Sequence, residues 1–142
     1  MSLRPMILMI VLIGMPLLAF SVLRGTGTVA KADVPSLALQ SREWTVDMLD
    51  DDPPLEPLRL WFRNGNVRLY GPCGTAEGRY RVLDGVIAVK LLHVQQRSCP
   101  PRAIKELRDV AELLQLVTDY SFGDRGALRL EAPSGRHILA TS

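Results

Sequence analysis

The chain has 142 residues, and about 110 remain once the first thirty or so are set aside, enough for one compact domain and too few for two. Its 17 basic and 15 acidic residues are intermixed, and the formal net charge is +2. This pattern excludes the dense positive field that nucleic-acid backbones require. Aromatic residues make up only 6% of the chain, which leaves few platforms for stacking bases or sugars.

The N-terminal region contains an apolar run of about 18 residues at positions 6–23 (MILMIVLIGMPLLAFSVL), with Arg4 before it and Arg24 after it. As a helix the run would span about 27 Å, close to the ~30 Å hydrocarbon core of a membrane. Residues 1–24 are therefore predicted to be a signal anchor in the inner membrane or a signal peptide. The length favours the anchor, whereas Pro16 would kink the helix and weakens that preference.

The fate of this segment has several alternatives. Residues 19–21 and 28–30 are weak cleavage sequences, so cleavage of a signal peptide stays open. Lipid attachment is excluded because Phe20 stands where a lipoprotein needs Cys. A buried core helix is disfavoured, since a domain this small could not cover a surface that is apolar all round. The sequence thus predicts a domain in the periplasm, anchored to the inner membrane or secreted after cleavage.

Residues 25–42 mix Gly, Thr, Ala and Lys without apolar periodicity and are predicted to be a linker. The domain is predicted to occupy residues 43–142, beginning with a strand at residues 44–46. Three Asp and two Pro at residues 50–54 then interrupt regular structure. This acidic cluster lacks the alternating ligands and the turn glycine of a calcium loop, so a solvated loop is predicted there.

Beyond this first strand, two strand pairs marked by turn dipeptides, one helix and three short strands are predicted. Asn64-Gly65 separates strands at residues 58–63 and 66–70, and Asp84-Gly85 separates strands at 78–83 and 86–94. An amphipathic helix is predicted over residues 102–117, with Ser98 or Cys99 as its N-cap. Short strands follow at residues 120–122, 127–131 and 136–140. The predicted fold is mainly β.

Short motifs occur in a distinctive order in this domain: Trp44, Gly71-Pro72-Cys73-Gly74, Gly78-Arg79-Tyr80, Cys99 before the helix, and Leu128-Arg129-Leu130. Over roughly residues 43–141, this succession resembles the META-domain (HslJ-like) family of bacterial envelope proteins. Each motif alone is weak, but the order and spacing are specific. Pro72 is inserted before the Cys, and Gly74 stands where the family has Asn. Glycine supplies a left-handed backbone conformation there at no steric cost.

The resemblance implies a small lipocalin-like antiparallel β-barrel with one amphipathic α-helix, here preceded by the N-terminal apolar membrane helix. It also implies a link to cell-envelope stress, and it supplies no catalytic residue, metal ligand or cofactor. An interior packed by Trp44, Trp61, Phe62, Tyr80 and Phe122 is favoured over an open interior that holds a small ligand. Five arginines at mostly alternate strand positions are predicted to face outward: Arg59, Arg63, Arg68, Arg79 and Arg81. This face has two interpretations. It is either exposed to solvent only, or it contacts anionic lipid headgroups or lipopolysaccharide.

The only two cysteines, Cys73 and Cys99, have three interpretations. Export would favour a structural disulfide, which would close a loop of about 27 residues and stabilise the fold by about 3 to 4 kcal/mol. Two unpaired thiols and a redox pair are the alternatives, and the redox pair is disfavoured because the spacing is not Cys-x-x-Cys. His93 and His137 lie at no spacing typical of a zinc site.

The sequence therefore predicts a non-catalytic envelope domain with a lipid or protein partner at the membrane surface, and with neither cofactor nor nucleic acid. A second hypothesis is a membrane-tethered inhibitor that docks a cell-wall hydrolase through the acidic loop at residues 50–54. A third, a small hydrolase or redox enzyme, lacks a framing motif such as Gly-x-Ser-x-Gly.

Overall fold

The computed structural model describes residues 34–142. The predicted membrane helix at residues 6–23 and the first part of the predicted linker, residues 25–33, lie outside the described residues. Within the described part, no helix is both long enough and apolar enough to cross a membrane.

The second part of the predicted linker contains a helix at residues 34–40. Helix α1 spans Val34–Gln40, and the Leu39 side chain is completely buried. The Leu39 carbonyl oxygen accepts a hydrogen bond from Trp44 Nε1 at 3.0 Å. Seven residues are too few to show an apolar period or to form a stable helix alone, and Leu39 belongs to the same buried core as Trp44. The folded part of the chain therefore includes α1.

Within residues 34–142, eight strands form a closed antiparallel barrel in chain order, in which β1 pairs with β8. The strands are β1 (Glu43–Leu49), β2 (Arg59–Arg63), β3 (Asn66–Gly71), β4 (Gly74–Leu83), β5 (Val86–Gln96), β6 (Asp119–Phe122), β7 (Leu128–Glu131) and β8 (His137–Thr141). The prediction of a mainly β barrel is confirmed. Both predicted turn dipeptides have positive φ at both residues, at 51° and 76° for Asn64-Gly65 and 49° and 80° for Asp84-Gly85.

Alternate residues of each strand point inward, and the inward side chains are mostly apolar. Together they form the core of the barrel. Leu60 and Phe62 of β2 are completely buried, which leaves Trp61 between them on the outer surface. The expectation that Trp61 fills the interior was therefore wrong. Trp44 and Tyr80 are buried as expected, and Phe122 is partly buried and packs against the same core.

Helix α2 (Pro101–Leu116) covers the place where the barrel is least well paired. Strands β5 and β6 share only the residue pair Val86 and Asp119, and the apolar face of the helix packs against β5 and β4. Gln115 Oε1 accepts a hydrogen bond from the Leu91 backbone at 3.3 Å, which satisfies part of the β5 edge. The predicted N-cap was wrong: Pro100 occupies that position, and no side chain caps the helix.

Candidate functional site

The residues of the sequence motif build the scaffold. Trp44, Tyr80, Leu128 and Leu130 are buried in the core, and the ring of Tyr80 meets Phe62 edge-on with centroids 5.1 Å apart. At Gly71 a Cβ would lie 2.7 Å from Leu58 Cδ2, and at Gly78 it would overlap the backbone of β5. These positions are therefore restricted by packing and backbone approach, and none of them presents a chemical group to solvent.

Gly74 replaces the family Asn for a steric reason in this chain. Its φ of 149° is accessible to glycine and strained for other residues. A Cβ at this position would also overlap the carbonyl oxygen of Gln95 in β5. An Asn side chain has no room here, so no role of that Asn transfers to this protein.

Cys73 and Cys99 form a disulfide, with their Cα atoms 5.6 Å apart. The bond connects the β3–β4 turn to the segment that leads into α2. This is the structural bridge favoured by the sequence. Helix α2, which packs against β5 and β4, is thereby fixed covalently to the barrel.

The acidic loop is held in place by the barrel. Asp50 has a φ of 56°, accepts a hydrogen bond from the His137 backbone at 2.9 Å, and pairs with Arg136 at 3.1 Å. The backbone hydrogen bond, followed by the guanidinium of Arg136, lowers the pKa of Asp50. Among residues 34–142, no group of three or more His, Cys, Asp or Glu side chains is arranged to hold a metal ion.

The same loop continues to a second anchor on α2. The Glu106 carboxylate accepts hydrogen bonds from the backbone of Leu55, at 2.9 and 2.8 Å, and of Glu56, at 3.2 Å. The Leu55 side chain is nevertheless 57% exposed. The loop thus presents an apolar side chain from a backbone that is bound at both ends.

The outer surface of β1 to β4 carries a row of mutually satisfied side chains, here named the paired face: Glu43, Arg59, Trp61, Arg68, Tyr70 and Glu77. Arg59 pairs with Glu43 at 2.9 Å, and Arg68 pairs with Glu77 at 2.8 Å. Strand register places Trp61 opposite Arg68, whose guanidinium carbon lies 5.7 Å from the ring centroid. The guanidinium of Arg63 lies 5.2 Å from the same ring. Trp61 therefore contacts two cations.

Tyr70 and Glu43 are coupled on this face. Hydrogen bonds from Tyr70 and Arg59 lower the pKa of Glu43. Partial burial of Tyr70, together with its hydrogen bond to the Glu43 carboxylate, raises the pKa of the phenol. A shallow depression of about 380 Å³ lies over these groups and also touches Thr75 and Arg97. Because its charges already have partners, the paired face has little unsatisfied charge to offer a ligand.

A second region lies along the β4–β5 hairpin and is here named the basic groove: Gly65, Arg79, Tyr80, Arg81, Ala88, Val89 and Lys90. It is a concave surface of about 660 Å³. Its charged residues are Arg79, Arg81 and Lys90, all of them exposed, and none forms an ion pair within the described residues. Register places Arg79 directly opposite Lys90. Two like charges therefore face each other with no carboxylate in the lining.

The outward position of all five predicted arginines is confirmed, since Arg59, Arg63, Arg68, Arg79 and Arg81 are exposed. Arg63 stacks on Trp61, and the other four divide into two groups that sequence reasoning did not separate. Arg59 and Arg68 have carboxylate partners, while Arg79 and Arg81 have none. Lys90 was missed, although it stands on an outward position of β5. Cross-strand register was needed to pair it with Arg79.

Residues 37–142 of the chain match the sequence model of the META domain family. The chain belongs to the META domain family. The match begins inside α1, in agreement with the burial of Leu39. A search among curated proteins finds no match.

Two solved structures are similar to this META domain. An NMR structure of a protein from Burkholderia xenovorans has a TM-score of 0.61 at 14% identity, covering 75% of this chain and 86% of that chain. A crystal structure of a DUF4847 family protein from Bacteroides vulgatus ATCC 8482 has a TM-score of 0.46 at 17% identity, covering 58% and 56%. The first similarity shows that a protein with low sequence identity to this chain has a similar fold.

Proposed function

We propose that this META domain is a non-catalytic binding module of the bacterial cell envelope, held in the periplasm by the N-terminal apolar segment. The observation that carries the proposal is the bond between Cys73 and Cys99, because disulfides form and persist in oxidising compartments. The apolar run at residues 6–23 provides a route to that compartment. A role in envelope stress follows from the family resemblance.

Binding rather than catalysis is supported by where the polar groups lie. The interior of the described barrel is lined largely by apolar side chains, and no charged residue within residues 34–142 is buried. The polar side-chain atoms that are buried include the hydroxyl groups of Tyr80 and Tyr120. The charged side chains collect on the outer surface, where water competes with any reacting group. Such a surface is suited to recognising a partner.

Thiol accessibility in cells tests the location. In the full chain carrying Cys73→Ser, the remaining thiol of Cys99 should react with a membrane-impermeant maleimide added to spheroplasts. The unchanged chain should react only after reduction, and its intact mass shows whether the leader has been removed. Labelling of Cys99 only after lysis, with both thiols of the unchanged chain reduced in the cytosolic fraction, would contradict the proposal.

A second candidate function is inhibition of a cell-wall hydrolase. It is favoured by the loop that ends at Glu56, since two anchors fix its backbone while Leu55 projects into solvent. A preorganised loop loses little entropy on entering a cleft. The full chain should then inhibit a purified peptidoglycan hydrolase, and the Asp51→Ala, Asp52→Ala, Leu55→Ala variant should not. Equal hydrolase activity with and without the chain, over a panel of such enzymes, would remove this candidate.

A further inference from the structure

The basic groove leads directly to an apolar hairpin tip. Beyond Arg81 in β4, Leu83 is 73% exposed, and its cross-strand partner Val86 is 52% exposed. Large apolar side chains at a turn between two cationic strands are not needed for folding, because they bury little area there. The combination of cations and an exposed apolar tip is typical of surfaces that meet lipid.

The acidic groups near the tip are few, and they do not line the groove. Asp84 lies in the β4–β5 turn, and Asp119 is paired in register with Val86. One carboxylate oxygen of Asp119 accepts a hydrogen bond from the Thr118 hydroxyl at 2.7 Å. Asp119 is in turn paired in register with Glu131 of β7, whose carboxylate forms an ion pair with Arg129. None of these three carboxylates lines the groove.

The tip lies at the end of the barrel where the described chain begins. Because β2 to β5 run antiparallel in chain order, the β2–β3 and β4–β5 turns are at the same end. The Asn64 backbone in the first of these turns donates to Gln40 Oε1 of α1 at 3.2 Å. This end, defined by α1 and these two turns, is called the α1 end. Leu37 of α1 is also exposed there, at 53%.

The opposite end of the barrel has a different character. It carries the β1–β2 connection with the acidic cluster Asp50, Asp51 and Asp52. At this end Asp50 is paired with Arg136, and Arg102 and Lys105 line the same surface, whereas the cations of the basic groove have no carboxylate in its lining. Residues 24–33 separate the apolar run from α1, so the covalent tether cannot exceed about 40 Å.

We propose that the basic groove and the tip formed by Leu83 and Val86 dock the α1 end onto an anionic phospholipid bilayer. This proposal rests on the membrane location proposed above. Arg79, Arg81 and Lys90 contact headgroup phosphates, and the two apolar side chains enter the boundary between headgroups and acyl chains. Each contribution is weak by itself: one cation near an anionic surface raises the binding constant about fivefold. The tether makes them sufficient because it keeps the domain close to the bilayer.

The test uses the full chain reconstituted in vesicles of phosphatidylcholine, with or without phosphatidylglycerol. An environment-sensitive maleimide probe is attached to Leu83→Cys without reductant, so the disulfide stays closed. A matched probe on Ser134→Cys reports the opposite end of the barrel, where Ser134 is exposed. In vesicles that contain phosphatidylglycerol, a quencher carried on the lipid should quench the probe at position 83 and leave the probe at position 134 unaffected. Phosphatidylcholine alone should give little quenching at either position.

Charge variants then separate the groove from net charge. Changing Arg79, Arg81 and Lys90 together to Gln should lower the docking equilibrium constant on the order of a hundredfold. Changing Arg97, Arg102 and Lys105 to Gln removes the same charge near the opposite end of the barrel, where β5 ends and α2 begins, and should leave quenching at position 83 nearly unchanged. High salt should also reduce the quenching. Circular dichroism of both triple variants checks that each is folded.

Three results would overturn the proposal: equal quenching at position 83 in the two kinds of vesicle, equal losses in both triple variants, or binding of inorganic phosphate without lipid quenching. The last would assign the groove to a soluble anion. Because reconstitution does not depend on export, this test is separate from that of the proposed function. An exported, oxidised chain that fails to dock would contradict only the lipid surface.

Discussion

The paired face and the basic groove lie on neighbouring strands of one barrel, but the charged side chains have partners on the first surface and none on the second. On the paired face, Arg68 stands opposite Glu77, and register converts both charges into a cross-strand ion pair. In the groove, register brings Arg79 opposite Lys90, and no carboxylate compensates them. The same sheet geometry stabilises the first pair and disfavours the second.

This difference indicates what each region contributes. The contacts of the paired face are complete within the molecule, so we expect its residues to contribute to stability. The groove has cations without partners, so its residues contribute little to stability and are available to an anionic surface. Substitutions that affect stability and binding separately can therefore test the comparison.

Loss of the disulfide should give the largest effect, because both regions depend on the same scaffold. Replacing Cys73 and Cys99 with Ser should lower the free energy of unfolding by about 3 to 4 kcal/mol, since the unfolded chain regains the freedom of the closed loop. Urea denaturation of the full chain measures this, and reduction of the unchanged protein should give a similar loss. A decrease below about 1 kcal/mol would mean that the bridge is dispensable for the scaffold.

Trp61→Ala should destabilise the protein by about 1 to 2 kcal/mol, because two cation–π contacts and the area they cover are lost. The matched control in the other region is Leu83→Ala, which removes a side chain that is 73% exposed. We expect a change within about 0.5 kcal/mol for this control. With the probe at position 83, Val86→Ala should reduce lipid quenching because it removes a tip side chain that is 52% exposed, and Trp61→Ala should change the quenching little. Equal unfolding free energies for the two variants would contradict the distinction between the regions.

Single charge removals should give smaller effects of opposite sign. Arg68→Gln should lower the free energy of unfolding by up to about 0.5 kcal/mol through loss of an exposed ion pair. Arg79→Gln should leave it unchanged or raise it by a few tenths of a kcal/mol, because repulsion from Lys90 is relieved. Thermal unfolding at low and high salt checks both, and salt should reduce the difference between them. A clear destabilisation by Arg79→Gln would show that this arginine has a structural partner.

Glu43 gives the paired face a pH dependence. Its pKa in the folded protein is lower than the ordinary value of 4.5, so its contribution is fully present above 4.5 and is lost as the pH falls through the folded pKa. The unfolding free energies of the unchanged protein and of Glu43→Gln should therefore converge below pH 4.5. Glu77→Gln, on the same face, serves as the comparison. A difference that stays constant as the pH falls would contradict the coupling of Glu43 to Tyr70 and Arg59.

Elements with a local signal were predicted from the sequence. Alternating apolar residues around Asn64-Gly65 and Asp84-Gly85 identified two hairpins, because positive φ at these residues is a local property. The helix was predicted within one residue of Pro101–Leu116 from its apolar period. Helix α1 was missed because a seven-residue helix owes its stability to packing, in this case through Leu39 and Trp44.

The sequence by itself determined the strands, the hairpin turns, the long helix and the family, since each depends on neighbouring residues or on the order of motifs. It also placed the five arginines on the outside. Only the tertiary structure decided which of them have partners, because pairing depends on the register between strands and on the shift in register at Glu77 and Gly78. The sequence shows the sign of a charge and the strand that carries it. The residue opposite that charge on the neighbouring strand is determined by the register of the folded barrel.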